Sequence, residues 1–182
     1  EWMFGLQEGF DVVIGNPPYI NVENLSNDLK KLIFNLYTTC KGRTDIYVAF
    51  IEQSLCLLKD KGVCMFIIPY PYAKQKYATI SRKKLIDDFY IKEILDTSEY
   101  NVFDNATVKN IILNVVNTKV IEDTIIKKAL TKKSFEINDF TSFKINQKDF
   151  LNLKDNRLET IDVSKLIELK NKTIYLMNLK KG

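Results

Sequence analysis

Residues 10–19, an apolar run that ends in an Asn-Pro-Pro-Tyr corner, constrain the fold more than any other part of the sequence. Residues 10–15 form a short apolar run rich in β-branched side chains, which is typical of a buried strand. Residues 16–19 follow at once and read Asn-Pro-Pro-Tyr, and two consecutive prolines cannot continue a ladder of backbone hydrogen bonds. The sequence therefore predicts a strand that stops abruptly. Because open α/β sheets bind ligands at the carboxyl ends of their strands, residues 16–19 are the first candidates for a functional site.

Helical and strand patterns alternate after this corner. Ser26 is expected to cap a short helix, and Thr44 a second helix over residues 45–59 that stops at Gly62. The remaining predictions are a strand at 63–68, a helix at 76–89, strands at 91–95 and 108–116, short alternating pieces over 119–150 and a helix near 164–170. This alternation indicates an α/β fold whose sheet is mostly parallel and covered on both faces.

Composition excludes several classes of function. The chain has 182 residues and no histidine, which rules out Ser-His-Asp or Cys-His catalysis and any His-ligated metal within it. Three cysteines without CxxC spacing argue against a zinc site or a disulfide framework and favour buried thiols in a reducing cytoplasm. No apolar run reaches the roughly 18–20 residues of a membrane span, so no membrane partner is expected. The lack of histidine and of CxxC spacing likewise predicts that no metal is bound.

Charge and the first residue bear on partners and completeness. The net charge is +4, and the basic excess lies after residue 118, where 14 Lys and Arg face 9 Asp and Glu. This excess permits contact with nucleic acid but does not by itself argue for it. Since the chain starts with Glu1 rather than Met, we expect it to be a piece of a longer protein.

The Asn-Pro-Pro-Tyr corner suits methyl transfer to an amide-like nitrogen. The exocyclic amine of adenine and a carboxamide are poor nucleophiles, because their lone pair is delocalised. The side-chain oxygen of Asn16 and the carbonyl of Pro17 can accept the two N–H bonds and orient the lone pair. Pro18 helps to lock the backbone, and Tyr19 offers a flat face on which a base can stack. The competing interpretation is a stiff turn that only ends a strand.

The corner and the stretch after it resemble a known enzyme family. The Asn-Pro-Pro-Tyr element resembles that of S-adenosylmethionine-dependent amino methyltransferases, and the downstream sequence is similar to the gamma class of N6-adenine DNA methyltransferases of restriction–modification systems. The resemblance covers residues 4–118. Its further elements are residues 44–50, 57–62, 66–69, 81–85 and 102–108.

The resemblance implies a partial Rossmann-like methyltransferase fold. Residues 1–118 would be the C-terminal half of the catalytic domain, with the second half of a mostly parallel sheet and an antiparallel last strand. Residues 119–182 would be a linker and the start of a target-recognition region. The family's Gly-rich cofactor loop has no counterpart, since the chain contains no GxG. The main binding loop for S-adenosylmethionine is therefore expected to lie outside this chain.

Site residues carry over by resemblance as well. Asn16, Pro17, Pro18 and Tyr19 match the catalytic residues that hold and stack a flipped adenine, and Phe103 matches an aromatic packed edge-on against that base.

The cofactor, S-adenosylmethionine, is expected at Asn16 and Phe50. For Phe50 and Phe103, packing in the core is the competing interpretation. Arg82 is interpreted as a surface cation on a helix.

The implied function is a site-specific DNA adenine-N6 methyltransferase that acts on double-stranded DNA. Some proteins of this kind also carry an endonuclease in the same polypeptide, and the resemblance allows for such a fusion here. A methyltransferase for protein glutamine or RNA adenine, and an inactive binding remnant, stay open as alternatives. Without the preceding strand of the family's sheet, residues 10–14 form an apolar edge, which predicts self-association or cover by the chain's own tail.

Overall fold

The computed structural model describes residues 9–103, 107–120 and 122–162. In these ranges the helices and strands are, in chain order, β1 (Phe10–Gly15), α1 (Asn27–Leu36), α2 (Tyr47–Cys56), β2 (Leu58–Pro69), α3 (Pro71–Lys74), α4 (Thr79–Asp88), β3 (Tyr90–Asp96), β4 (Asn110–Val116), β5 (Asp123–Lys128), α5 (Lys132–Glu136) and β6 (Thr141–Asn146). Short 3₁₀ turns lie at Val22–Asn24, Lys76–Ala78, Gln147–Asn152 and Lys154–Asn156. Over the described ranges, none of the helices combines the length and apolar character that crossing a membrane requires.

The strands form one six-stranded sheet in the order β1-β2-β4-β3-β5-β6. β1 is parallel to β2 and β3 is parallel to β5, whereas β4 runs antiparallel to both β2 and β3. β6 closes the other end of the order antiparallel to β5. This arrangement confirms the predicted α/β fold with a mostly parallel sheet, since β1, β2, β3 and β5 run in one direction and β4 and β6 run against them. The strand predicted at 108–116 is β4, and it is antiparallel as expected.

The hydrophobic core lies on one face of the sheet. Side chains of β2 and β4 that are neighbours across the ladder, such as Phe66 and Leu113, pack there with α2 and α4. On the other face, the described residues leave Val12 and Ile14 59% and 73% exposed. Ile14 also lines an open apolar depression with Gly15, Met65, Ile67 and Ile112. The sequence predicts a sheet covered on both faces, but within the described part of the chain only one face is covered.

The second helix differs from its prediction at its start. α2 begins at Tyr47, and Thr44 does not cap it. The Thr44 hydroxyl is buried and has no hydrogen-bond partner among the described residues, while its carbonyl accepts from the Val22 N–H at 2.9 Å. The segment before α2 is thus held by the backbone of the preceding loop, a long-range contact that competes with local capping.

Gly62 does not end a helix, contrary to the prediction. It lies inside β2, directly after Lys61, whose φ is 60°. The register between β1 and β2 shifts between Phe10 and Val12 at this place. A Cβ added at Gly62 would lie 2.7 Å from the carbonyl oxygen of Phe10. Glycine is required here because two backbones approach closely at an irregularity of the sheet.

The sheet continues past residue 118. β5 pairs with β3, and Gln147 after β6 fixes the chain to the core by accepting from the Ile91 N–H at 2.7 Å and donating to the Phe89 carbonyl at 2.7 Å. The expected boundary at residue 118 therefore does not coincide with an edge of the sheet. A linker or recognition role for residues 119–182 stays a prediction, and the helix near 164–170 lies outside the described residues.

The interpretation of Arg82 as a surface cation is wrong. Its side chain on α4 is completely buried and donates to backbone carbonyls, among them those of Asp155 and Asn156. These acceptors lie more than 70 positions later in the chain. A helical pattern of lysines around Arg82 indicates a solvated face, and no local feature signals partners so far away.

Candidate functional site

The Asn-Pro-Pro-Tyr corner lies at the carboxyl end of β1 and is open to solvent. Asn16 and Pro18 are exposed, Pro17 is buried and Tyr19 is half-buried. The corner follows β1 directly, because two prolines remove the N–H groups that a continuing strand would need. The side chain of Asn16 is thus accessible to a ligand, and Pro17 is packed beside it.

The hydroxyl of Tyr19 is fixed by two hydrogen bonds. It donates to the carbonyl oxygen of Ile67 at 3.0 Å and accepts from the side-chain nitrogen of Asn110 at 3.2 Å. Burial raises the pKa of Tyr19 to about 12, although the bond from Asn110 lowers it. The phenol is therefore neutral at physiological pH and its proton is engaged. Tyr19 can contribute its ring to a site, but it is not available as an acid or a base.

Further tyrosines support this ring from behind. The rings of Tyr19 and Tyr47 meet edge to face, with centroids 6.0 Å apart, and those of Tyr47 and Tyr72 do so at 6.2 Å. The hydroxyls of Tyr47 and Tyr77 are hydrogen-bonded to each other. Burial raises the pKa of each of these groups, that of Tyr77 to about 12. We refer to Tyr19, Tyr47, Tyr72 and Tyr77 as the tyrosine row.

Sequence reasoning missed most of these supports. Tyr47 follows the apolar spacing of α2 and therefore looks like an ordinary core residue. Asn110 is completely buried at the first position of β4, opposite Pro69 of β2, and nothing near it in the sequence signals a contact with Tyr19. Its side-chain oxygen has no hydrogen-bond partner among the described residues.

Phe103 and Phe50 lie on segments that adjoin the same edge of the sheet. Phe103 is on the connection that leaves the carboxyl end of β3, and its side chain is exposed. Phe50 is in the first turns of α2, whose start is joined to the corner by the hydrogen bond from the Ile46 N–H to the Ile20 carbonyl, 2.8 Å long. Neither phenylalanine is a core residue. That they share one cavity with Asn16 stays a prediction.

Phe50 is the residue whose surroundings fit part of the expected cofactor. Its ring is 43% exposed and lines an apolar groove between α1 and α2, together with Leu29, Leu32, Leu36, Ile46 and Gln53. An exposed aromatic beside apolar side chains and one amide suits a planar purine. The lining of this groove is thus compatible with an adenine ring, and cofactor binding at Phe50 stays a prediction.

Comparison with known proteins assigns the sequence to a family. Residues 1–103 match the model of the family described as Eco57I restriction-modification methylase. The Type II methyltransferase M.BstVI of Geobacillus stearothermophilus is 32% identical over 123 residues, which are 68% of this chain and 22% of that protein. The Type II restriction enzyme and methyltransferase RM.Eco57I of Escherichia coli is 31% identical over 101 residues, which are 54% of this chain and 10% of that protein.

A solved structure shows the same fold. The methyltransferase subunit of a type I restriction-modification system from Streptococcus thermophilus superposes with a TM-score of 0.64 at 17% sequence identity, over 86% of this chain and 39% of that one. The chain spans less than a quarter of the two curated relatives. Because the family match covers more than half of its residues, the chain belongs to the Eco57I restriction-modification methylase family.

Proposed function

We propose that this chain forms the target-base side of the catalytic domain of a DNA methyltransferase that methylates the N6 of an adenine turned out of the duplex. The observation that carries the proposal is the solvent-open Asn16 beside a Tyr19 ring fixed by Ile67 and Asn110. Membership in the methylase family and relatives that are Type II methyltransferases support it.

The corner holds the reacting amine by its two N–H groups. The side-chain oxygen of Asn16 accepts one hydrogen and the carbonyl of Pro17 the other, so the nitrogen lone pair is withdrawn from the ring and aimed in one direction. Because the fixed φ of proline holds the carbonyl in place, little reorganisation is needed in the transition state. No titrating base is required, in agreement with a chain that contains no histidine.

Aromatic rings hold the base itself. Tyr19 presents its face for stacking, since its hydroxyl is engaged at the edge of the ring. Phe103 contacts the edge of the same base. Extruding a base from the duplex costs a few kcal/mol, which such stacking offsets in part.

S-adenosylmethionine supplies an electrophilic methyl group when it is bound. In this chain, Phe50 would hold the adenine ring of the cofactor. Asn16 would lie beside the cofactor but contribute little to its affinity, and the main binding loop would come from sequence outside residues 1–182. An endonuclease in the same polypeptide, as the name of RM.Eco57I indicates for that relative, is part of the proposal for the full-length protein.

The experiment compares full-length Asn16→Ala and Tyr19→Ala variants with the wild type and with Asn35→Ala, which alters an exposed asparagine on α1. We expect Asn16→Ala to lower methyl transfer to unmethylated DNA by about 10²–10³-fold, with cofactor affinity by calorimetry largely unchanged. Tyr19→Ala should weaken base capture by about 1–3 kcal/mol. Asn35→Ala should behave as wild type.

Mass spectrometry of the nucleosides identifies the modified base, and a cleavage assay with Mg²⁺ tests for the endonuclease. A normal rate for Asn16→Ala, or a product other than N6-methyladenine, contradicts the proposal. Methylation of glutamine or of RNA adenine would instead support the corresponding alternative.

A further inference from the structure

Arg82 occupies a position that the proposed chemistry leaves unexplained. Its guanidinium is completely buried in α4, where a positive charge loses its hydration. Burial accordingly lowers the pKa of Arg82. A buried charge is retained only where its hydrogen-bonding groups are satisfied, so its partners indicate what it is for.

All five N–H groups of Arg82 have acceptors. Nη1 donates to the carbonyls of Tyr72 at 2.5 Å and Gln75 at 2.8 Å. Nε donates to the carbonyl of Asn156 at 2.9 Å. Nη2 donates to the carbonyl of Asp155 at 2.6 Å and to the hydroxyl of Thr79 at 3.4 Å. Only arginine offers five donors in a fixed fork, and a lysine offers three at one point.

The two late acceptors belong to a segment in a strained conformation. Asp155 and Asn156 have φ of 57° and 50°, in the left-handed region that side chains disfavour. This conformation turns two successive carbonyls toward Arg82. We refer to residues 155–160 as the strap.

The strap is fastened to α3 at two further points. The Leu158 N–H donates to the carbonyl of Ala73 at 3.0 Å, and Glu159 forms an ion pair with Lys74. Leu158 is completely buried. Arg82 thus joins α4, α3 and the strap at one point.

The same point supports the tyrosine row. Arg82 bonds the carbonyl of Tyr72, whose ring packs against Tyr47, and Tyr47 in turn packs against Tyr19. The hydroxyl of Tyr72 is hydrogen-bonded to Ser81, the residue before Arg82, at 2.9 Å. Each contact is between groups that are buried or half-buried, so displacement of one shifts the next.

We propose that Arg82 is a positioning residue that couples the strap to the Tyr19 ring, so that the strap and the target-base corner hold a fixed relation. The inference rests on the proposed function only where methylation is the readout. Its structural part predicts that loosening the strap loosens the support of Tyr72 and Tyr47.

The test uses the full-length protein with Arg82→Lys, which keeps the charge but not the fork, and Glu159→Gln, which weakens the strap without touching Arg82. Lys83→Met, at an exposed neighbour on α4, is the local control. Glu52→Gln, which weakens a contact that involves neither Arg82, the strap nor the tyrosine row, controls for a general loss of stability.

Hydrogen exchange is the first readout. We expect Arg82→Lys to speed exchange by about tenfold in peptides that cover the strap, Tyr72 and Tyr47, and Glu159→Gln to change the same peptides in the same direction. Lys83→Met should not do so, and Glu52→Gln, whose side chain binds Thr38 and Thr39, should speed exchange more around these two threonines than in the strap. The inference is overturned if Arg82→Lys speeds exchange in the strap but not around Tyr72 and Tyr47. It is also overturned if Glu52→Gln speeds exchange in the strap and around Tyr72 as much as Arg82→Lys does.

Kinetics is the second readout. Arg82→Lys should raise KM for unmethylated plasmid DNA about fivefold to tenfold, whereas Lys83→Met and Glu52→Gln should not. An unchanged KM in a folded Arg82→Lys protein contradicts the coupling. If the wild type transfers no methyl group, the proposed function fails, and the exchange data still decide the positioning role.

Discussion

The phenolic oxygen of Tyr19 lies 3.2 Å from the side-chain nitrogen of Asn110, a residue 91 positions later in the chain. The contact exists because β4 runs antiparallel between β2 and β3, which brings its first residue to the carboxyl end of β1 and β2. The orientation of the Tyr19 ring therefore depends on the one strand that interrupts the parallel order of β2, β3 and β5.

Asn110→Ala should impair the reaction more than the fold. Loss of one hydrogen bond, worth about 0.5–1.5 kcal/mol, leaves the Tyr19 hydroxyl with the Ile67 carbonyl as its partner among the described residues, so kcat/KM for DNA should fall severalfold. The matched control is Asn114→Ala, on the same strand, whose side-chain oxygen is buried and makes no hydrogen bond to a described residue. Equal kinetics for the two variants would argue against a role for Asn110 in positioning the ring.

Glu52 should make stability depend on acid pH. Burial pushes its pKa upward, but hydrogen bonds from the N–H and hydroxyl groups of Thr39 and Thr38 outweigh this, and the pKa is lowered. A lowered pKa stabilises the fold above the usual glutamate value of about 4.3, and this contribution is lost as the pH falls through the lowered pKa.

Glu52→Gln should therefore reduce the free energy of unfolding by about 1–3 kcal/mol at pH 7, and the deficit should shrink below about pH 4. Urea unfolding between pH 3 and pH 7 measures it. Glu23→Gln, which alters an exposed carboxylate paired with Lys30, is the control for the Glu-to-Gln substitution itself. A deficit that is constant with pH would contradict the assignment.

Gly62→Ala should destabilise the pairing of β1 with β2. The new Cβ would meet the backbone oxygens of Phe10 at 2.7 Å and Lys59 at 2.9 Å, and backbone cannot move aside as a side chain can. We expect a loss of about 1–3 kcal/mol in unfolding free energy. Gly42→Ala meets no atom within 4 Å and tests the cost of its positive φ alone, which is about 1 kcal/mol. A smaller loss at Gly62 than at Gly42 would contradict the steric explanation.

The edge formed by β1 should promote self-association of the 182-residue chain. β1 has β2 as its neighbour in the sheet, and Val12 and Ile14 are exposed beside the open depression. Light scattering after size exclusion should show a mass that rises with concentration, and Ile14→Lys should shift it toward the monomer. Ile137→Lys, at a side chain of similar exposure, is the control. A clean monomer at all concentrations would refute the prediction.

Local patterns were sufficient for most of the fold. Apolar runs predicted the strands that became β1, β2, β3 and β4, and Ser26 caps α1 by accepting from the Leu29 N–H, as expected. Each of these signals acts within a few residues. The apolar pattern of α2 misled because it continues into Leu58, which already belongs to β2.

The supports of the candidate site were not predictable in this way. Asn110 and Arg82 acquire their roles from partners more than 70 positions away, and a sequence without its topology does not show which strand ends meet. The corner itself was predictable, because Asn16 and the two prolines after it are consecutive and their chemistry is local.

The pairing of β3 with β5 has a practical consequence for chimeric enzymes. In a chimera whose foreign sequence begins after residue 118, β3 would lose its neighbour β5. The guanidinium of Arg82 would also lose two of its hydrogen-bond acceptors. Segments exchanged after this region should instead be joined beyond residue 160, so that the strap keeps its contacts with α3 and Arg82.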